Sequence, residues 1–309
     1  VSQGINDVRT AGPVCDLFAG ACSLSGAIGH LAPIITNDIQ SYSAVIARCY
    51  LHRLSEKAQS VPPEDVTKRA MAIVDGRSKL ISTSLRQDTA TTLTTFNQIE
   101  AESRKLIDET FSDPYHLFLK NYSGTWWSAE QCAWIDALRQ VIDEMLAANE
   151  INEGDHAIFQ TCVMHAMAYC GQGTGHYAQY RDAKDLSSMN DINIYRQKSI
   201  PLYFSRKLSA LTKWNIANVA PNDGHKYLTL DYQECLMQLP NCTVYADPPY
   251  AFVHYSRFYH AIETFTLYDY PALQFKGDEV VKGRYREDRH QSPFSIRSKV
   301  EGAFKALFT

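Results

Sequence analysis

The first apolar run, Val14-Cys15-Asp16-Leu17-Phe18, gives way to small residues at Ala19-Gly20-Ala21-Cys22-Ser23. That pattern predicts a strand ending in a tight turn. Residues 24–31 then read as a short helix and 34–37 as a second strand ending at Asp38. Residues 41–53 read as a helix with Tyr42, Val45, Ile46, Cys49 and Tyr50 on one face. Strand, turn, helix, strand, acid and helix together form the opening of a nucleotide-binding α/β sheet. Pro62-Pro63 breaks the pattern, and from there to about Asn215 the periodicity is mainly helical. The clearest case is 127–145, where Ser128 is placed to cap and Cys132, Ile135, Leu138, Val141 and Ile142 make one stripe. Residues 156–170, ended by the glycine-rich 171–175, and 203–214 read as further helices. The sheet pattern resumes with a strand at 227–230 running to Asp231, a short helix at 233–239 and a strand at 243–246. A polar, basic stretch and a final helix at 298–308 complete the chain. The expected architecture is α/β. Residues 1–54 and 216–309 build the sheet, and a mainly helical insertion of residues 55–215 splits it.

Composition narrows the class. With 45% hydrophobic and 21% charged residues in 309, the chain reads as a globular protein of one large domain or two smaller ones. A formal net charge of -4 excludes a polycation, so any nucleic-acid contact must come from local basic patches. The eight cysteines include no C-x-x-C pair and read as reduced, mostly buried thiols. No signal peptide and no membrane-length apolar run is evident, so a cytoplasmic protein without a membrane partner is expected.

The chemistry concentrates at strand ends. Asp247-Pro248-Pro249-Tyr250 follows a predicted strand. The exocyclic amine of adenine is a poor nucleophile because its lone pair is delocalised into the ring. Two acceptors aimed at its N–H groups make it more tetrahedral and able to attack a methyl donor. The Asp247 carboxylate supplies one acceptor and the Pro248 carbonyl the other, its direction fixed by consecutive prolines. Tyr250 offers a face for a flipped base. A strand-terminating proline turn is the plain alternative. The 16–23 turn lets backbone approach a ligand closely. Asp38 ends the next strand, where an acid accepts from ribose hydroxyls. Asp231 ends the strand before that of Asp247, placed to meet an adenine amine of the cofactor.

These motifs resemble those of adenine-N6 DNA methyltransferases of the DNA adenine methylase group, in which a cofactor motif is followed by a target-recognition insert and then DPPY. Asp16-Leu17-Phe18-Ala19-Gly20-Ala21-Cys22-Ser23 is similar to the family's D-L-F-A-G-x-G-S turn, and Asn37-Asp38-Ile39-Gln40 to its ribose-binding segment. The resemblance implies a Rossmann-like methyltransferase sheet, S-adenosyl-L-methionine as cofactor, double-stranded DNA as partner, a flipped target adenine and no metal. It assigns cofactor binding to Asp16, Phe18, Ala19, Gly20, Asp38, Ile39 and Asp231, and catalysis to Asp247, Pro248, Pro249 and Tyr250. A restriction-modification or other defence context, with a partner subunit, goes with it. Cys22 departs from the family's glycine. It brings a Cβ where left-handed backbone would favour none, which puts cofactor affinity in question.

Other features stay open. Lys282, Arg284, Arg286 and Arg289 are candidate DNA-phosphate contacts, although Asp278, Glu279, Glu287 and Asp288 beside them equally fit a solvated loop. The 171–175 stretch lacks the Lys-Ser/Thr ending of a P-loop. Cys162, His165 and Cys170 lack a fourth zinc ligand. Methylation of RNA or of a protein amide, and an inactive DNA-binding relative within a defence complex, are the alternative functions. The short segments before Val14 and after Tyr250 carry the further expectation that sequence at both ends, or a partner, completes the enzyme.

Overall fold

Four short strands form one parallel sheet in the computed structural model, which describes residues 1–9, 12–77, 81, 92–173, 175–221, 224–249 and 254–308. The strands are β1 (Val14–Asp16), β2 (Ile34–Asn37), β3 (Lys226–Leu228) and β4 (Thr243–Tyr245), in the order β3-β2-β1-β4. Val14 is in register with Ile34 on one side and Thr243 on the other. The helices among the described residues are α1 (Ser2–Val8), α2 (Ser23–Ile28), α3 (Ser41–Leu51), α4 (Glu56–Gln59), α5 (Pro63–Gly76), α6 (Leu93–Arg104) and α7 (Leu117–Tyr122). They continue as α8 (Ala129–Ala147), α9 (Glu153–Cys170), α10 (Leu186–Arg196), α11 (Ile200–Asn218), α12 (Tyr232–Gln238), α13 (Tyr255–Leu267) and α14 (Val300–Phe308). A small antiparallel hairpin, β5 (Phe275–Lys276) and β6 (Glu279–Val280), stands apart from the sheet.

The central strands are buried at every position, as parallel strands covered on both faces must be. Their alternation sorts the core into two layers. Val14 and Ile34 pack with Leu24, Ile28 and Leu51 on one face. Cys15 and Ile35 pack with Tyr232, Cys235 and Phe294 on the other. All eight cysteines are free thiols; seven are buried and Cys242 is half-buried.

The chain divides into two compact units. The first comprises Val1–Leu54, Lys213–Leu267 and Asp288–Thr309, and holds the sheet. Asn215 belongs here because its side chain accepts from the Leu54 N–H and donates to the His52 carbonyl. The second unit, Ser55–Thr212 with Tyr268–Glu287, is helical apart from the hairpin. Its main helix, α8, starts at a reciprocal box in which Ser128 Oγ accepts from Gln131 N and Gln131 Oε1 accepts from Ser128 N. The expected stripe, Cys132 to Ile142, faces inward. A buried Arg196–Glu100 pair, with two bonds of 2.7 and 3.0 Å, ties α10 to α6.

Two expectations need correction. The stretch after the DPPY motif is not simply polar loop, because it contains α13 and the hairpin. Nor does all of 216–309 belong with the sheet. Tyr268–Glu287 joins the helical unit, where the Tyr268 hydroxyl donates to Asp136 at 2.5 Å and Lys282 pairs with Asp182. Among the described residues, no helix is long and apolar enough to cross a membrane.

Candidate functional site

Within the sheet-bearing unit, a cavity of about 450 Å³ opens at the carboxyl ends of the strands, in the range typical of small-molecule sites. The chain runs from β1 through β2 to β3 on one side and returns to β4 on the other, so β1 and β4 flank the switch point where α/β sheets bind ligands.

Hydrogen bonds beyond the strands hold this end together. Leu17 N donates to the Tyr245 carbonyl at 3.0 Å, and Ala19 N to the Asn37 carbonyl at 2.8 Å. The buried Asn37 carboxamide clamps three strand ends at once. Its Nδ2 donates to the carbonyls of Leu17 and Leu230, and its Oδ1 accepts from Leu230 N. Asp38 is then fixed by two backbone donors, Gly20 N on Oδ2 at 3.0 Å and Gln40 N on Oδ1 at 2.9 Å. The turn and the ribose-candidate acid are thereby one rigid piece. Gly20 has φ +50, which only a residue tolerant of left-handed backbone adopts cheaply.

Cys22 is also left-handed, with φ 58 and ψ 31. The position therefore does require the geometry a glycine adopts most easily, and a cysteine adopts it at a cost of about 1–2 kcal/mol. Compensation is visible. The thiol is buried against Ala19, Ala47 and Ile46, and Sγ lies 3.2 Å from the Ser43 carbonyl and 3.4 Å from its hydroxyl. Burial pushes the thiol pKa up to about 12, so it stays a protonated donor to that carbonyl.

One wall comes from α3 and α13, which pack through Tyr42 and Tyr259 with ring centroids 5.7 Å apart. Glu263 on α13 caps α3 from a distance. Its two oxygens accept from Ser41 N at 2.9 Å and Tyr42 N at 3.0 Å, satisfying amides that a helix start leaves orphaned. The floor is aromatic: Phe18 and Tyr232 line it and pack on the buried Phe294 behind, the three rings meeting pairwise with centroids 5.1 to 5.8 Å apart.

Of the predicted site residues, Phe18, Gly20, Asp38, Ile39, Asp231, Asp247, Pro248 and Pro249 line this cavity. Asp16 and Ala19 are buried and do not line it. Tyr250 lies outside the described residues. Asp231 also caps α12, accepting from Gln233 N at 2.9 Å. Asp247 is exposed, with the Tyr245 hydroxyl 3.4 Å from its Oδ2. The sequence reading missed His254, Tyr259, His290 and Gln291, which complete the lining. The apolar spacing of Tyr255, Tyr259 and Ile262 was the available signal for that helix.

The cavity is acidic. Asp38, Asp231 and Asp247 line it, Asp16 sits behind, and no lysine or arginine is among the lining residues. Burial, then the charges of Asp38 and Asp247, raise the Asp16 pKa to about 7. Burial also raises that of Asp38, against the N–H bonds from Gln40 and Gly20 and the neighbouring His290. His254 is lowered by burial and by Arg257 and Arg289.

No protein-family model, curated protein or solved structure matches this chain.

None of the predicted DNA contacts is among the residues that line the cavity. Arg286 is buried and makes a two-bond pair with Asp269, both at 2.7 Å. Lys282 pairs with Asp182 at 2.5 Å and lies over the Tyr180 ring. Arg284 is buried at φ +48. These three belong to the helical unit, whereas Arg289 belongs to the sheet-bearing unit. The spacing in sequence suggested one phosphate-binding row, but Lys282 and Arg286 are spent on carboxylates within the fold.

Proposed function

We propose that this chain is an S-adenosyl-L-methionine-dependent methyltransferase acting on the N6 amine of adenine in DNA. The single observation that supports this most is the convergence of Asp38, Asp231 and Asp247-Pro248-Pro249, from the ends of three different strands, in one acidic cavity at the switch point. The donor set fits the cofactor, since a sulfonium and an ammonium suit a carboxylate-lined cavity and an aromatic floor suits a purine. When bound, the cofactor supplies an electrophilic methyl group.

The chain's own residues would do the rest. Asp38, held by the N–H groups of Gly20 and Gln40, would accept from a ribose diol. Asp231 offers its second oxygen to an exocyclic amine. Asp247 and the Pro248 carbonyl accept from the two N–H groups of the target amine, drawing it toward tetrahedral geometry. The floor of Phe18 and Tyr232, backed by Phe294, would exclude water.

The test is transfer of labelled methyl from the cofactor to plasmid DNA, followed by nucleoside analysis. N6-methyladenine supports the reading. Label in RNA or protein instead would move the acceptor class. Calorimetric binding of the cofactor without any transfer would identify an inactive relative, and absence of binding would end the proposal.

A further inference from the structure

We propose a second nucleic-acid contact, a stacking platform for unpaired bases on the helical unit, formed by α9, α11 and the segment between α10 and α11. It extends the nucleic-acid reading above, but its test needs neither cofactor nor methyl transfer, so the two fail separately.

The charge pattern comes first. The chain has 34 acidic residues, yet none lies between residues 156 and 181 or between 192 and 222. Helix α9 therefore carries no carboxylate after Asp155, and α11 carries none at all. Arg206 and Lys207 on α11 and Lys198 before it face no acid on their own segments. In a protein of net charge -4, such a surface selects polyanions.

Aromatic rings interleave these cations. His165, Tyr169 and Tyr203 form a ladder, with centroids 4.6 Å apart for the first pair and 5.1 Å for the second. The tyrosine pair is stacked at 29°, and Tyr169 is 50% exposed. Half-exposed stacked aromatics do not serve a core. Lys198 Nζ donates to the Tyr169 carbonyl at 2.9 Å and lies 4.4 Å from the Tyr195 ring centroid, both uncharged partners. Burial, and then the nearby Lys207 charge, lower the His165 pKa. A ladder of rings flanked by cations is what a single strand requires: bases extend the stack and phosphates meet the lysines. A protein partner fits less well, because the cations would need matching acids on it while the rings offer flat faces.

The test is fluorescence anisotropy of the full chain with a labelled single-stranded oligonucleotide of mixed sequence, across salt concentrations. Tyr169→Ala with Tyr203→Ala should weaken binding roughly five- to hundredfold, and the paired Tyr→Phe changes should restore it. Arg206→Gln with Lys207→Gln should lower the slope of log K against log salt by about 1.4. If the alanine pair fails to fold by thermal melting, Tyr169→Leu with Tyr203→Leu takes its place as the stacking test, with the same loss expected. Binding indifferent to both pairs overturns the proposal. So does binding that loses its salt slope but ignores the tyrosines, which would mark a plain polyanion patch.

Discussion

The Cys22 thiol lies 3.2 Å from the carbonyl oxygen of Ser43, joining the cofactor-candidate turn to the helix that follows Asp38. This contact and the left-handed backbone at Cys22 pull in opposite directions. Cys22→Ala keeps the backbone strain and loses the bond, so it should destabilise by about 1–2 kcal/mol. Cys22→Gly relieves the strain while losing the same bond, and should fall within about 1 kcal/mol of the parent. Urea unfolding ranks the two variants. Alanine as stable as the parent would show that the thiol contact contributes nothing.

Asp16 makes stability depend on pH in an unusual direction. Its folded pKa of about 7 exceeds the ordinary 3.8 of an aspartate, so the folded state holds the proton more tightly. That contribution is fully present below about pH 4 and is lost as pH rises through about 7. Asp16→Asn should flatten this segment of the stability curve, read by urea midpoints between those limits. A curve unchanged by the substitution would refute the assignment. A cationic ligand in the cavity in front of Asp16 should expel the proton, so calorimetry in buffers of different ionisation enthalpy should register proton release near neutral pH.

Asp247 is exposed, and the Tyr245 hydroxyl reaches it only at 3.4 Å. Asp247→Ala should therefore leave the urea midpoint and cofactor affinity nearly unchanged. Methyl transfer should fall by about 10²–10³ or more, the scale of losing one preorganised polar group. Turnover close to the parent would sink the mechanism; a parallel loss of cofactor affinity would reassign Asp247 to the cofactor.

Arg286 is the opposite case. Its guanidinium is buried and doubly bonded to Asp269, so Arg286→Gln should cost about 2 kcal/mol of stability. It should not alter the salt dependence of nucleic-acid binding. A lowered slope in a fully folded variant would return Arg286 to the phosphate contacts.

The strand cores and both flanks of the cavity were readable from the chain because parallel buried strands are continuous apolar runs and their ends carry the acids. Ser128, a capping residue just ahead of an apolar stripe, announced the start of α8; the reciprocal part of Gln131 was not read. Asn37 was read only as the end of a strand, since nothing local indicates that a carboxamide will clamp Leu17 and Leu230. Helix α13 was hidden by its polar positions, and Glu263 looked like one more surface acid. The fate of Arg286 was illegible for the same reason: its partner, Asp269, is near in sequence, but pairing depends on a bend that local pattern does not encode.

The cap that Glu263 places on α3 also bears on how the protein is made. Residues Val1–Leu54 leave the ribosome with β1 and β2, but both outer strands and Glu263 lie beyond the whole of Ser55–Thr212. At about 5–20 residues per second, the interval is on the order of ten seconds. During that time the nascent half-sheet has two open edges and an uncapped helix, while the helical unit emerges entire apart from Tyr268–Glu287. The cavity thus closes only after Ser55–Thr212 has emerged, and chaperone demand in that interval should fall on Val1–Leu54.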